Sequence, residues 1–376
     1  YVPSLYTCLY NEDGSLAEIK NLNAAAPPNV CKQVFTPPDD YVAHSVILSD
    51  ASSWVNMFLV EVARSCPQEC RFCLASYLTR PFRSANVDTL MQKIDLGLQH
   101  TRKIGLLGPS VTEHPQFAEI AQRLLARGHG DLDLSIASIR MDTIDPLVLK
   151  MLAQLGQKSV TIALESGSER LREIMKKNLR QDEILQGMEL IEQSGLTAVK
   201  FYGIVGLPGE EDEDIQETIR LLTLLKKKHK TLRITFGVSS FVPKAQTPFQ
   251  WFGRDRDCAA KLELLRKNLT KQGINVRPES HNWSDVQTYL SRGDRRITET
   301  LLQVADSPAN LGAWKKAWRQ RSNNCPSSEF YIYRQIPYDE LLPWSHLTDT
   351  GKQNMLFKHG RQAEELAAAR GSKAAT

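Results

Sequence analysis

Three cysteines fall within a single short run, Cys66-Pro67-Gln68-Glu69-Cys70-Arg71-Phe72-Cys73, directly after the apolar stretch Met57–Ala63. A short apolar run of this kind reads as a β-strand, and a C-x3-C-x2-C loop leaving it keeps three sulfur donors on one short segment. The other cysteines, Cys8, Cys31, Cys258 and Cys325, are scattered through the 376 residues. A secreted disulfide framework would spread its cysteines through a much shorter chain. No secretory apolar segment stands at the start, so the triplet reads as a metal site in a reducing compartment, and a cytoplasmic location is expected.

From residue 57 onward, short apolar or β-branched runs alternate with amphipathic stretches, the pattern of βα units on a parallel sheet. Strands are expected at Met57–Ala63, Lys103–Leu107, Leu132–Ala137, Ser159–Leu164, Ala198–Val205 and Arg233–Phe241. Helices are expected at Val87–Leu98, Gln116–Ala126, Pro146–Leu155, Asp182–Gln193 and Asp214–Lys228. Asp145 before Pro146 is an N-cap followed by proline in the first helical position, and Gly195 follows the helix that ends near Gln193. These repeats fall short of the eight of a closed barrel, so a six-stranded open barrel and an open sheet both fit.

Residues 1–52, broken by Ala24-Ala25-Ala26-Pro27-Pro28 and Pro37-Pro38-Asp39-Asp40, form an irregular lead-in with a short hairpin near Asp13-Gly14. We divide the chain into this lead-in, a core over 53–275 and a C-terminal α/β region over 276–376. That last region is rich in aromatics and ends in a frayed or disordered tail from Glu364 to Thr376. No stretch approaches the ~18 uncharged apolar residues of a membrane span. A balance of 47 basic against 43 acidic residues is too mild to imply nucleic-acid binding by itself.

Three thiolates on one loop can hold three corners of a 4Fe-4S cluster and leave the fourth iron without a protein ligand, open to a small chelating molecule. Phe72, just before the last cysteine, can shield such a cluster. The alternative, structural zinc, wants four closed ligands, usually from two C-x2-C pairs. No second pair exists, and the fourth ligand would have to be a lone distant residue such as Cys31.

The triplet, its place after the first strand and the βα units resemble the radical S-adenosylmethionine (SAM) superfamily over about residues 53–250. The resemblance implies a partial (β/α)6 barrel. It also implies a cluster on Cys66, Cys70 and Cys73 whose open iron is chelated by the methionine moiety of SAM, and cleavage of SAM to a 5′-deoxyadenosyl radical. Gly105-Leu106-Leu107-Gly108-Pro109-Ser110 stands where the family often has a Gly-Gly-Glu segment; the acidic residue is missing, which leaves Gly108 and Ser110 as candidates. Ser135, Ser138 and Arg140 stand where polar residues meet ribose or carboxylate, although Ser135 also fits a strand residue facing solvent and Arg140 a helix-dipole contact.

Glu165 ends an otherwise apolar strand at the barrel mouth, where βα-barrel enzymes place working groups. It resembles the family's polar SAM-contacting segment, and Arg170 would then pair with the methionine carboxylate. Gly206, within Gly203-Ile204-Val205-Gly206-Leu207-Pro208-Gly209-Glu210, and Val238 match the adenine side. Lys200 and Tyr202 lie on one face of the fifth strand, facing either substrate or solvent.

Methylthiotransferases of this superfamily need a second cysteine triplet upstream, and members with auxiliary clusters need more cysteines downstream; both branches are disfavoured. The segments Tyr1–Tyr6, Arg64–Arg83, Val242–Trp251 and Leu342–His346 resemble members with an upstream cobalamin-binding-like domain. Cobalamin is therefore expected only if such a domain exists. Arg64, Arg71, Arg80 and Arg83 would give the loop a positive field, or a docking face for a one-electron donor such as flavodoxin or ferredoxin. Lys226–Lys230 reads as the solvated last turn of a helix. The expected function is a radical SAM enzyme of unknown substrate. The alternatives are a cobalamin-dependent methyltransferase, an RNA-modifying enzyme and a non-catalytic metal-binding module.

Overall fold

A computed structural model describes residues 5–371, with 37, 129 and 131 left aside. The chain opens with an antiparallel hairpin, β1 (Tyr6–Tyr10) and β2 (Leu16–Asn21). It turns at Gly14, whose positive φ suits glycine, while Asp13 accepts hydrogen bonds from the Ser15 amide (2.8 Å) and hydroxyl (2.6 Å). Tyr1–Ser4, the start of the stretch likened to the exit of an upstream domain, lie outside the described residues.

All the expected core strands form: β3 (Phe58–Glu61), β4 (Lys103–Leu107), β5 (Asp133–Ile136), β6 (Ser159–Glu165), β7 (Ala198–Val205) and β8 (Arg233–Ser240). A further strand, β9 (Asn275–Pro278), adds to the end of the series. All pair in parallel, as β3-β4-β5 and as β6-β7-β8-β9, and a single parallel bridge between Ile139 and Ile162 joins the two sets. Among the described residues no ladder joins β3 to β9, so the sheet is an open arc. The free edge of β3 is covered by residues 43–45, through the Ser45 amide to the Leu59 carbonyl and the Glu61 amide to the Ala43 carbonyl (both 2.9 Å). An edge blocked in this way cannot template pairing with another chain.

The intervening helices are α1 (Leu74–Leu78), α2 (Val87–Leu98), α3 (Phe117–Leu125), α4 (Pro146–Gln154), α5 (Glu169–Ile174), α6 (Gln181–Gln193), α7 (Asp212–Lys228) and α8 (Cys258–Thr270). The Asp145 side chain caps α4 by accepting from the Val148 amide at 2.9 Å, and Gly195 takes a positive φ after α6. The main core lies between these helices and the outer face of the arc, where Val60, Ile104, Ile162, Phe201 and Phe236 meet residues such as Leu90, Ile120, Met188 and Leu225. The inner, lumen face carries the alternate residues. Register aligns Leu59, Gly105 and Ser135 in one row, and Thr161, Lys200 and Thr235 in another.

After β9 the chain is carried by helices: α9 (His281–Arg292), α10 (Thr298–Ala305), α11 (Leu311–Arg319), α12 (Ser328–Ile332) and α13 (Thr350–Gly371). The strand-like contribution of this region is Leu341, which bridges Leu16 of the hairpin. Its aromatics close a second core around Tyr289, Trp314 and Tyr331. Part of the stretch expected to be frayed or disordered is the end of α13, which lies across α5 and the cysteine loop. No helix among the described residues is long and apolar enough to cross a membrane.

A cysteine loop and a buried ion network at the strand ends

The cysteine loop leaves β3 at its C-terminal end and is held from three sides. The Val62 amide donates to the Leu107 carbonyl (2.8 Å), and the Arg71 amide donates to the Met175 carbonyl (2.9 Å). Cys73 is the N-cap residue of α1, and its amide donates to the Cys70 carbonyl at 2.9 Å. Cys66 and Cys70 are buried and Cys73 is half-buried; all the chain's cysteines are free thiols. Gly108 has no room for a side chain, since a Cβ would lie 2.9 Å from the Ala63 carbonyl oxygen. That close approach seats the end of β4 against the root of the loop.

The thiols share an electrostatic environment. Burial, with smaller contributions from Glu113, Cys70 and Cys73 and opposed by the Gln68 backbone, pushes the Cys66 thiol up to about 11. Burial also raises Cys70, against which Lys177 and Arg140 pull down and Cys73 and Glu165 push up. Buried thiolates at Cys66 and Cys70 are favoured by neighbouring cations.

Those cations belong to a buried network that the sequence reading met only in part. Glu165 is 8% exposed and takes a left-handed φ of 68° at a register shift ending β6. A non-glycine residue in that region is strained, and such strain clusters at working sites. Its carboxylate stands 3.5 Å from the ammonium of Lys177, itself 6% exposed. Burial raises the Glu165 carboxyl, with Lys177 and Arg140 opposing. The Arg140 guanidinium holds Asp142 (2.9 and 2.6 Å) and lies 3.9 Å from Glu113. Glu113 sits on a 3-10 turn, Val111–Glu113, where it receives Gln68 of the cysteine loop and has a carboxylate oxygen 3.7 Å from Cys66 Sγ.

Glu113 thus places a carboxylate beside the cysteine loop, on the turn that follows the Gly105–Ser110 segment. The sequence signal for it was an acidic residue three positions beyond Ser110. Lys177, in the pair Lys176-Lys177 beyond α5, was likewise missed. Ser110 is buried with its hydroxyl unpartnered, Ser135 faces the lumen opposite Gly105, and Ser138 is half-buried. Phe72 packs against the buried cluster that includes Leu207 and Phe241, which joins the cysteine loop to the turn at Gly206. Gly206 has φ +77°, and a Cβ there would strike Cys258 Sγ.

Two expected positions, Val238 and Arg170, do not reach this cluster. Val238 lies on the outer face in the aliphatic core, because alternation along β8 sends Gly237 and Ser239 to the lumen instead. Arg170 is engaged elsewhere: its guanidinium binds Asp214 (2.5 Å) and the Gly209 carbonyl (2.8 Å), bracing the Gly206–Gly209 turn against α7. Of the four loop arginines, Arg64 is paired with Glu61 and Arg80 with Glu69, and Arg71 is buried against the Glu173 and Ile174 carbonyls. The expected positive field is therefore largely neutralised or buried, apart from Arg83. Lys228 of the basic run pairs with Glu189 at the end of α7.

The donor set fits an iron–sulfur cluster by its chemistry, three free thiols on one loop with Cys66 and Cys70 buried. No group of three or more His, Cys, Asp or Glu among the described residues converges on a point where one metal ion could sit. In a 4Fe-4S cluster each thiolate binds its own iron, so the donors need to ring a cube rather than meet at a point.

An open parallel arc with a triple-cysteine loop at its strand ends defines a partial βα-barrel domain. Residues 60–222 match the Radical SAM superfamily. An uncharacterised protein of Methanocaldococcus jannaschii is 34% identical over 280 residues, 74% of this chain and 61% of that one. A tRNA-2-methylthio-N(6)-dimethylallyladenosine synthase of Sulfurihydrogenibium sp. is 26% identical over 43% of this chain and 39% of its own length. The chain therefore spans less than two thirds of these relatives. Among solved structures, coproporphyrinogen III oxidase from Escherichia coli aligns with TM-score 0.41 and 16% identity over 58% of this chain and 52% of that one.

Proposed function

We propose that the chain is a radical SAM enzyme in which Cys66, Cys70 and Cys73 hold three irons of a 4Fe-4S cluster. The observation that carries this reading is the network Glu113–Arg140 and Glu165–Lys177, buried at the strand ends against Cys66 and Cys70. An amino acid moiety carries one ammonium and one carboxylate, and this network offers both signs. Glu113 and Glu165 suit the ammonium, while Arg140 and Lys177 suit the carboxylate. Phe72 and the Gly206 turn would form the adenine side, and Ser110 and Ser135 would offer hydroxyls to ribose.

When bound, the cluster and SAM together supply a 5′-deoxyadenosyl radical. The protein's part is to orient SAM and exclude water, which the roof of Phe72, Phe241, Phe249 and α13 favours. In this reading the core runs from 53 to about 275, flanked by the lead-in and the helical region. The donor is a one-electron carrier of the flavodoxin or ferredoxin kind, and the location is the cytoplasm. Among the relatives' activities, tRNA modification is a second reading. It requires tRNA binding that weakens steeply with salt, and salt-insensitive or absent binding rejects it.

The test is anaerobic reconstitution with iron and sulfide, then incubation with SAM and a strong reductant. A brown protein that releases 5′-deoxyadenosine is expected; a colourless protein that leaves SAM intact overturns the reading. S-adenosylhomocysteine appearing as well would assign methyl transfer.

A further inference from the structure

The lumen face of β6–β9 carries the basic side chains Lys200, Arg233 and Arg277. Parallel register places Lys200 between Thr161 and Thr235 in one row, and Tyr202 between Ala163 and Gly237 in the next, with Arg277 following Gly237. Arg233 begins the same face of β8, opposite Ala198. At the upper end of this face Glu165 is held by Lys177, and Glu279 follows Arg277 just beyond β9. Among the described residues no carboxylate lies within ion-pair distance of Lys200. Its ammonium donates to the Tyr202 hydroxyl (2.9 Å) and sits 4.5 Å from that ring's centre. Both side chains lean over Gly237, where a Cβ would lie 3.3 Å from the Tyr202 ring and 3.6 Å from Lys200 Cε. Tyr202 is 41% exposed in the lumen although it stands in the middle of a central strand.

An exposed aromatic face, an uncompensated ammonium with donors to spare and a glycine that keeps the space clear make a seat for an anionic oxygen group. We propose that the substrate carries a carboxylate or phosphate that is bound in the lumen by Lys200 and Tyr202, with Arg277 adding long-range attraction. The seat lies about 7 Å below Glu165 along the strands, by the rise of two residues. A molecule anchored there would extend upward toward the cysteine loop. The inference rests on the radical SAM reading for what happens at the upper end, but the anion seat itself is independent of any cofactor.

The full chain is treated with an amine-acylating reagent, and modification of Lys200 is compared with that of exposed Lys271 by peptide mass analysis. Inorganic phosphate, succinate or chloride is added at equal ionic strength. Phosphate or succinate should slow acylation of Lys200 by at least about threefold with Lys271 unchanged, and whichever protects more strongly names the source of the anion. Equal rates in all salts, or equal protection by chloride, overturn the proposal. In parallel, the rise in unfolding temperature caused by the protecting anion should vanish in Lys200→Ala and persist in Lys200→Arg. A rise retained in Lys200→Ala also overturns it. Substrate-free SAM cleavage, measured on the reconstituted protein, separates the two readings. Its loss with Lys200 still protected refutes only the radical SAM assignment, and its presence without protection refutes only the anion seat.

Discussion

On the helix side of β7, Val199, Phe201 and Val205 are buried in the aliphatic core, whereas Lys200, Tyr202 and Ile204 of the same strand face the lumen half-buried or exposed. The neighbouring strands repeat the division: Ile162 and Phe236 lie outside, Thr161 and Gly237 inside. A closed barrel of eight strands fills its interior with branched side chains. This open arc leaves Thr161, Lys200 and Tyr202 on its inner face, so most of the burial that stabilises the sheet comes from the outer face. Stability and chemistry are thereby assigned to alternate residues, and substitutions on the two faces should have separable effects.

The largest separation is expected at the strand ends. Cys70→Ala should lower SAM cleavage at least about a thousandfold, while the unfolding free energy of the metal-free protein changes by less than about 1 kcal/mol. Urea unfolding and 5′-deoxyadenosine formation, measured on the same preparations, check this. Retained cleavage would remove Cys70 from the cluster. The converse is Phe201→Ala, which empties a fully buried position in the core. It should cost about 3–5 kcal/mol, whereas Tyr202→Ala one residue away should cost less than about 1 kcal/mol. Similar costs at the two positions would mean that the lumen is packed after all.

A polar group buried outside both faces gives a smaller, pH-dependent effect. His359 on α13 contacts the Tyr77 hydroxyl at 3.2 Å above the cysteine loop. Burial, with Lys176, Arg71 and Arg80 nearby, drives its imidazole down to about 4 although Glu69 opposes. The unfolded chain takes up this proton near pH 6.5 and the folded chain only near 4. The contribution to stability is therefore complete above pH 6.5 and is lost as pH falls through that window. Between pH 7 and 4.5 the native protein should lose on the order of 2 kcal/mol more than His359→Gln, read from urea unfolding at the two pH values. Parallel losses would assign the acid sensitivity to other groups.

Periodicity was enough to locate the strands and most helix ends, because alternation and local caps such as Asp145-Pro146 are contained in a few adjacent residues. Local reading failed where a side chain's partner is remote. Arg170 is claimed by Asp214, 44 positions later in the chain, and the cysteine loop is covered by Gln362 and His359 from α13. Val238 was misjudged for a different reason. A strand's position is visible in the sequence, but which alternate set faces inward depends on the register across the whole arc. Glu113 is not legible locally because a 3-10 turn places it beyond the glycine-rich segment. Nor is Lys177, because two adjacent lysines read as solvated charge until the fold buries one of them.

The smallest effects test the two faces most directly, by exchanging their chemistry without changing shape. Valine and threonine are nearly isosteric, so Val199→Thr and Thr161→Val alter polarity and little else. Val199 is 1% exposed among aliphatic side chains, and a hydroxyl placed there finds no ready partner. Its desolvation should cost about 1–3 kcal/mol. Thr161 faces the lumen in the row of Lys200, where its hydroxyl is half-buried and adds little to packing. Thr161→Val should therefore change stability by less than about 0.5 kcal/mol in either direction. Urea unfolding of the two variants beside the native chain gives the contrast. If Thr161→Val cost as much as Val199→Thr, the lumen hydroxyl would be part of a structural network, and the division of labour between the faces would fail at its polar row.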